Sequence, residues 1–120
     1  MLFRSCFGSL DLEIAVTGRA GHSGDSLRAV NAVEAAMPIV EALLALKPLV
    51  EARTSVLPPP PHFEGRPLNA RLSITAIHGG AKGSALPGLC TILVNRRFMP
   101  EESYEAVLAE LEETVRGAAA

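Results

Sequence analysis

The chain is poor in aromatic residues, and positive charge does not dominate it. Its 120 residues include no tryptophan, one tyrosine and four phenylalanines, which leaves little surface for stacking on nucleic-acid bases. The formal net charge of −2 at pH 7 argues against a phosphate-binding face, since nucleic-acid-binding domains are usually basic. We therefore expect no nucleic-acid partner.

Long apolar runs and clustered cysteines are also missing. No stretch approaches the roughly 20 apolar residues of a membrane span. Residues 1–6 carry a single basic residue and no sustained apolar run, which is not typical of a signal peptide. Cys6 and Cys90 lie far apart and show no metal-ligand spacing. These absences predict no membrane partner and a cytoplasmic protein with two free thiols.

Three segments alternate between apolar and polar side chains, which is the period-two pattern of a strand with one buried face. The segments are residues 10–17, 71–77 and 90–95. In the second segment, Leu72, Ile74 and Ala76 are expected on the buried face.

Two further segments have apolar residues at helical spacing. The first runs from about residue 26 to residue 46, with Asp25 or Ser26 expected to cap its first amide groups. Pro38 predicts a kink or a break, and Pro48 predicts the end of the helix. The predicted buried stripe of this helix consists of Val30, Val33, Met37, Val40 and Leu44.

The second helix is predicted to open at residues 100–103, where acidic side chains suit the positive end of the helix dipole. A proline-rich connector at residues 54–68 separates the first helix from the second strand. The predicted buried stripe of the second helix consists of Tyr104, Val107, Leu108, Leu111 and Val115.

The predicted order is therefore strand, helix, strand, strand, helix. It indicates an α+β, two-layer, ferredoxin-like sandwich, in which two helices cover one face of an antiparallel sheet. A complete ferredoxin-like fold has a fourth strand after the second helix. That strand is missing here, so we interpret residues 1–120 as a single domain excised from a larger protein.

His22 lies in a glycine-rich turn between the first strand and the first helix. Glycines at positions 18, 21 and 24 allow positive φ angles and close backbone approach, so the histidine can project from the domain. The alternative is a loop histidine that caps the following helix through local hydrogen bonds.

Four local patterns, taken in order, resemble the dimerisation (lid) domain of the zinc-dependent peptidases and deacylases. This family includes acetylornithine deacetylase, succinyl-diaminopimelate desuccinylase and aminoacylase, and the resemblance covers roughly residues 8–116. The patterns are Gly18-Arg19-Ala20-Gly21-His22-Ser23, Asn31-Ala32-Val33, His78-Gly79-Gly80 with Ala85-Leu86-Pro87, and Asn95-Arg96-Arg97-Phe98-Met99-Pro100.

The resemblance implies a dimerisation and lid module of a metal-dependent amidohydrolase that cleaves an N-acyl amino acid or a small peptide. It places the zinc ions in a separate catalytic domain of the parent enzyme. None of that ligand set is recognisable here, and three histidines without an acidic residue at ligand spacing give no metal site. We therefore expect no cofactor in this chain and no catalysis by the chain alone.

The resemblance also implies roles for three side chains. His22 would contact the substrate carbonyl or the developing oxyanion in the active site of the partner subunit, where an imidazole N–H can donate. Arg97 would bind the substrate carboxylate as a bidentate fork. It could instead be a surface arginine, or one paired with Asp11 or Glu13. Ser84 stands where the family has a substrate-binding asparagine, although a plain loop serine is an equal interpretation.

Other polar residues carry weaker expectations. Arg96 is expected on the opposite face of the strand from Arg97. His78 ends a strand beside two glycines and is expected to be structural, whereas His62 follows four prolines in a connector that is expected to be mobile. Asn31 is expected to fix the turn before the first helix.

The expected partners are a second copy of the chain and the parent catalytic domain. The strand at residues 71–77 follows the crossover helix, so it should lie at the sheet edge and pair with its copy, with the first helix adding apolar area. A different class of function stays open at this point, namely a free-standing ferredoxin-like domain that binds a small molecule or another protein. Flanking sequence would discriminate between the two.

Overall fold

A three-stranded antiparallel sheet forms the centre of the computed structural model, which describes residues 8–24 and 27–119. The strands of this sheet lie in the order β1-β5-β3, and β2 and β4 form a separate two-stranded sheet. Both helices pack on one face of the larger sheet, so the predicted α+β two-layer architecture is confirmed. The elements in chain order are β1 (Gly8–Thr17), β2 (Gly21–His22), α1 (Ala32–Glu51), a 3₁₀ turn (Pro61–Phe63), β3 (Arg71–Gly79), β4 (Ala85–Leu86), β5 (Leu89–Phe98) and α2 (Tyr104–Ala119).

The predicted edge position of β3 is confirmed, and among the described strands β1 forms the other edge. The central strand β5 alternates strictly, so that every second side chain is buried under the helices. On α2, Val107 and Leu111 are fully buried and the other members of the predicted stripe pack against them, as expected.

Helix α1 begins later and ends later than predicted. Its N-cap is Asn31, whose Oδ1 accepts the amide hydrogens of Val33 and Glu34 at 3.0 and 3.3 Å. The structural role expected for Asn31 is therefore confirmed, whereas the predicted start near residue 26 is wrong. The two residues expected to cap the helix, at positions 25 and 26, lie outside the described residues.

The helix continues through both of its prolines as one element, so the predicted end at Pro48 is also wrong. Val50 lies beyond that proline and is fully buried in the core. Because tertiary packing contributes more to helix stability in proteins than local propensity does, burial of this side chain can hold the last turn in place.

The buried stripe of α1 differs from the predicted one. Val30, Met37 and Leu44 are 49%, 37% and 53% exposed, while Val33 and Val40 lie at the margin of the core. The helix carries apolar residues on two neighbouring faces, and the face with small side chains allows the closer approach to the sheet. The buried residues of α1 are Ala32, Ala36, Ile39, Leu43 and Val50.

A bulge in β3 reverses the predicted alternation at the end of this strand. Ile74 lies opposite Val94, but Ile77 lies opposite Ile92, so three residues of β3 span two of β5. Beyond the bulge, Ile77 shares the helix-facing side, and Ala76 turns to the open face of the sheet. The predicted placement of Ala76 with Leu72 and Ile74 is therefore wrong, because an inserted residue shifts all later side chains to the opposite face.

A buried arginine connects β5 to α2. The Arg96 side chain is 0% exposed, and its two terminal nitrogens donate to the Glu102 carboxylate at 3.1 and 2.6 Å. Glu102 also accepts the Met99 amide hydrogen at 3.0 Å. A second pair lies beside it: Arg53 donates to both oxygens of Glu110 at 2.9 and 2.7 Å, and these bonds hold the pKa of Glu110 below its usual value.

We predict that Arg96→Met destabilises the fold by about 3–5 kcal/mol, because removal of one partner leaves the Glu102 carboxylate without its main countercharge. Urea unfolding of the chain measures the loss. Arg116→Met is the matched control, since its pair with Glu112 at 3.4 Å is largely exposed and should contribute less than about 1 kcal/mol. Equal effects of the two substitutions would contradict the importance of the buried pair.

Candidate active-site lid

The short strands β2 and β4 bring together two of the three predicted substrate contacts. His22 lies opposite Ala85 in the β2–β4 pairing, and the Ser23 amide donates to the Ser84 carbonyl oxygen at 2.9 Å. His22 and Ser84 are both exposed. They therefore belong to one surface, although 62 residues separate them in sequence.

The glycine turn before His22 is held against the loop before β5. Gly18 donates to the Gly88 carbonyl oxygen at 2.8 Å, and a Cβ at Gly18 would lie 2.2 Å from the carbonyl oxygen of Val30. The expected need for close approach is thus confirmed at Gly18. The positive φ that glycine allows is not adopted there, because the glycines with positive φ in the described part of the chain are Gly65 and Gly80.

A local hydrogen bond sets the orientation of the His22 ring. The Gly24 amide donates to His22 Nδ1 at 3.1 Å. Since a nitrogen that accepts this bond carries no hydrogen, the neutral imidazole has its N–H at Nε2. The exposed edge of the ring therefore presents a donor to the surroundings. The local bond does not compete with a substrate role, because it uses the other nitrogen.

Arg97 lies on the open face of β5, as its strand parity predicts, and is exposed. Among the described residues it forms no ion pair with Asp11 or Glu13, so the alternative to a substrate role that remains is a surface arginine. Asp11 instead accepts a hydrogen from Asn95 Nδ2 at 2.8 Å. The Arg97 guanidinium is thus available to an anion on this face.

His22 and Arg97 lie at opposite ends of the sheet. Thr17, which precedes the His22 turn, is paired with Leu89 at one end of β5, whereas Arg97 is paired with Ser9 near the other end. Eight residues of extended strand separate Leu89 from Arg97, a distance of roughly 27 Å at about 3.4 Å per residue. A small substrate cannot contact both side chains within one copy.

The remaining candidate residues form no metal centre. No group of three potential metal ligands occurs within residues 8–24 and 27–119. His78 is exposed on β3 opposite Thr91, and the His62 ring contacts Phe63 edge-on at 5.0 Å. Cys90 is a buried free thiol, while Cys6 lies outside the described residues.

Two further arginines were missed in the sequence. Arg66, in the connector, and Arg71, on β3, line a cavity of about 980 Å³ together with Arg97. Arg71 lies directly opposite Arg97 in the β3–β5 pairing. In the sequence, Arg71 and Arg97 each fall on the polar face of a predicted strand. The register between the two strands could not be predicted from spacing, so the pairing of these arginines could not be predicted either.

Known proteins resemble this chain in fold or in sequence. An aminobenzoyl-glutamate utilization protein from Klebsiella pneumoniae superposes with a TM-score of 0.62 at 20% identity, over 94% of this chain and 25% of that one. A Mycobacterium tuberculosis protein assigned as succinyl-diaminopimelate desuccinylase DapE is 27% identical over 93% of this chain and 29% of its own length. An acetylornithine deacetylase from Klebsiella pneumoniae is 29% identical over 78% of this chain and 23% of its own length.

Residues 4–120 match the family model of the peptidase dimerisation domain. The chain belongs to this family, as the four sequence patterns indicated, and it spans less than a third of the length of these curated relatives. Membership favours the enzyme module over a free-standing binding domain. Within the described residues, neither helix is long and apolar enough to cross a membrane.

We predict that neutral His22 populates the Nε2–H tautomer almost exclusively, because its Nδ1 accepts the Gly24 amide hydrogen. Long-range ¹H–¹⁵N NMR spectra above the titration range of the ring would show distinct nitrogen shifts for the two ring positions. His62, which has no such acceptor bond at Nδ1 among the described contacts, is the internal control. Rapid averaging of both tautomers at His22 would contradict the assignment.

Proposed function

We propose that this chain is the dimerisation and active-site lid module of a metal-dependent amidohydrolase that acts on an N-acyl amino acid or a small peptide. Family membership supports the module and its self-association, and the names of the relatives support acyl-amide substrates. The observation that carries the proposal is His22, an exposed donor oriented by its own loop and placed beside Ser84.

Zinc belongs, in this proposal, to a separate catalytic domain of the parent enzyme. The described residues of this chain supply no ligand set for it, so we assign no metal-dependent step to them. Residues 1–120 would then form one domain that is inactive alone and works in the cytoplasm. Its contribution is to place donors around a substrate that the other domain holds.

The role of His22 follows from where negative charge develops during amide hydrolysis. The carbonyl oxygen gains charge as the tetrahedral intermediate forms, and a donor already aimed at that oxygen stabilises the transition state more than the ground state. The Nε2–H of His22 can supply this hydrogen bond. The exposed Ser84 hydroxyl lies on the same surface and can donate a second one.

Arg97 would bind the carboxylate of the substrate, because its guanidinium is exposed and its fork matches two carboxylate oxygens. The separation of roughly 27 Å from the His22 end of the sheet supports the proposal that the two residues of one copy serve different active sites. A complete site then takes Arg97 from one subunit and His22 from its partner.

The proposed dimer surface combines the β3 edge with the outer face of α1. Val33 at one end of this face approaches Gly79, where a Cβ would lie 2.8 Å from the Val33 side chain. Lys47 at the other end donates to the Leu72 carbonyl oxygen at 2.6 Å. The exposed Met37 and Leu44 lie between them on the same helical face, so apolar surface runs along the edge strand.

The free part of the edge begins after Leu72. The Leu72 amide donates to Glu51 at 3.2 Å and its carbonyl accepts from Lys47, so both of its outward backbone groups are already satisfied. Although burial alone raises the pKa of Glu51, this amide bond and the charges of Lys47 and Arg71 hold that pKa below its usual value. By the alternation of an antiparallel ladder, the next outward groups are those of Ile74, Ile77 and Gly79.

In the full-length parent, we predict that His22→Ala lowers kcat about 10²–10³-fold, the usual cost of losing one oxyanion donor. The unfolding midpoint should not change, because the side chain is exposed. His78→Ala, at another exposed histidine, is the control and should leave kcat near normal. A near-normal kcat for His22→Ala, or a loss of activity that tracks a loss of stability, would refute the role.

We also predict that Ile77→Pro weakens self-association of this chain about 5- to 150-fold, measured as the dimer Kd by sedimentation equilibrium. It removes one outward donor in each copy, and each hydrogen bond contributes about 0.5–1.5 kcal/mol. Ile77→Ala is the matched control, since it shortens the side chain and keeps the amide. A monomer at high concentration, or a dimer indifferent to Ile77→Pro, would rule out this edge.

A further inference from the structure

The cavity beside Arg97 is built by the connector and the open face of the sheet. The connector leaves the end of α1 and returns to β3 as a closed loop. At its base, the Ser55 amide donates to the Leu68 carbonyl oxygen at 2.7 Å, and the Ala70 amide donates to the Arg53 carbonyl oxygen at 3.2 Å. Its tip turns through the left-handed residues Glu64 and Gly65. One wall of the cavity is therefore a loop tied at its base, and the other is rigid sheet.

Positive charge is concentrated in this cavity. Three arginines line it, and each belongs to a different element: Arg66 to the loop, Arg71 to β3 and Arg97 to β5. Glu51 is the acidic residue among the lining side chains. The concentration contrasts with the chain as a whole, whose net charge is −2.

Electrostatic repulsion disfavours the placement of these arginines unless an anion lies near them. Like charges directly opposite one another on a sheet face destabilise it, and Arg71 and Arg97 occupy such a pair. Glu51 lies 3.5 Å from Arg71 and offsets part of that repulsion. Arg66 and Arg97 have no ion pair among the described residues, and Arg66 Nε donates to the Phe63 carbonyl oxygen at 3.0 Å, which holds this guanidinium at the loop tip.

The floor of the cavity also carries a hydrogen-bond acceptor. Asn95 Nδ2 donates to Ser9 at 3.1 Å and to Asp11 at 2.8 Å, so both of its hydrogens have partners. No described residue donates to its Oδ1, which can therefore accept from a ligand, beside the Ser73 hydroxyl on the neighbouring strand. A ligand bound in the cavity could therefore pair its acidic groups with the arginines and donate an N–H hydrogen to Asn95.

We propose that this cavity recognises a ligand with two acid groups, with one carboxylate on Arg97 and the second between Arg66 and Arg71. The assignment rests on the proposed function, in which Arg97 binds the substrate carboxylate, and it adds a substrate class: acyl amino acids that bear a second carboxylate. Carboxylates match the guanidinium fork in bidentate geometry. The volume of about 980 Å³ is large enough for such a molecule.

The test uses the 120-residue chain with glutarate as the dicarboxylate probe and butyrate as a matched monocarboxylate, titrated by NMR at constant ionic strength. Glutarate should bind at least tenfold more tightly than butyrate. Arg66→Gln and Arg71→Gln should each reduce glutarate affinity about tenfold and leave butyrate affinity unchanged, while Arg97→Gln should weaken both. Arg116→Gln, at an exposed arginine on α2, is the control for net charge.

The outcomes distinguish failure of the second acid site, at Arg66 and Arg71, from failure of the carboxylate-binding role of Arg97. Equal affinities for glutarate and butyrate, with both dependent on Arg97, would overturn the second acid site and leave the Arg97 role intact. Inorganic phosphate that binds as tightly as glutarate and with the same dependence on all three arginines would overturn the dicarboxylate class. The kinetic test of His22 in the parent enzyme is independent of all these results.

Discussion

The buried Arg96–Glu102 pair is the interaction on which the arrangement of this domain depends. A charged side chain without solvent access must find its countercharge inside the protein, and for Arg96 that charge comes from the turn that leads into α2. Glu102 also accepts the Met99 amide hydrogen, so one carboxylate fixes both the end of β5 and the entry to the helix. Because strand side chains alternate, an inward Arg96 requires an outward Arg97. The position of Arg97, the proposed carboxylate-binding residue, therefore depends on the burial of Arg96.

Local patterns predicted the three strands of the larger sheet and the buried stripe of α2, because a half-buried strand or helix shows its buried face in its own sequence. They failed for α1, where two neighbouring faces are apolar. The face of Val33, Met37 and Leu44 is a real apolar stripe, but it runs along the edge strand instead of facing the core. Sequence periodicity measures how apolar a face is and not what covers it. The bulge after Ile74 was not predicted for another reason, since an inserted residue leaves no mark on composition.

The candidate site was predictable to the extent that it is local. The His22 turn, its glycines and the Asn31 cap are short-range features, and a motif can show them. The contact between Ser23 and Ser84 depends on strand pairing across the domain, and the Arg71–Arg97 pair depends on strand register. Neither could follow from spacing, because register is set by the core and the bulge together.

The proposed lid role and dimerisation depend on each other in this geometry. One copy holds His22 and Arg97 at opposite ends of β5, so the proposed site, which needs both side chains, must be shared between two copies. The outward backbone groups of β3 from Ile74 onward could form the hydrogen bonds that join two copies. At Leu72, before this segment, Lys47 and Glu51 already bind the outward carbonyl and amide. A strand edge limited in this way restricts the pairing registers open to two copies. In the proposed dimer, the α1 side chains that cap the edge therefore help to determine where each His22 lies relative to the partner's catalytic domain.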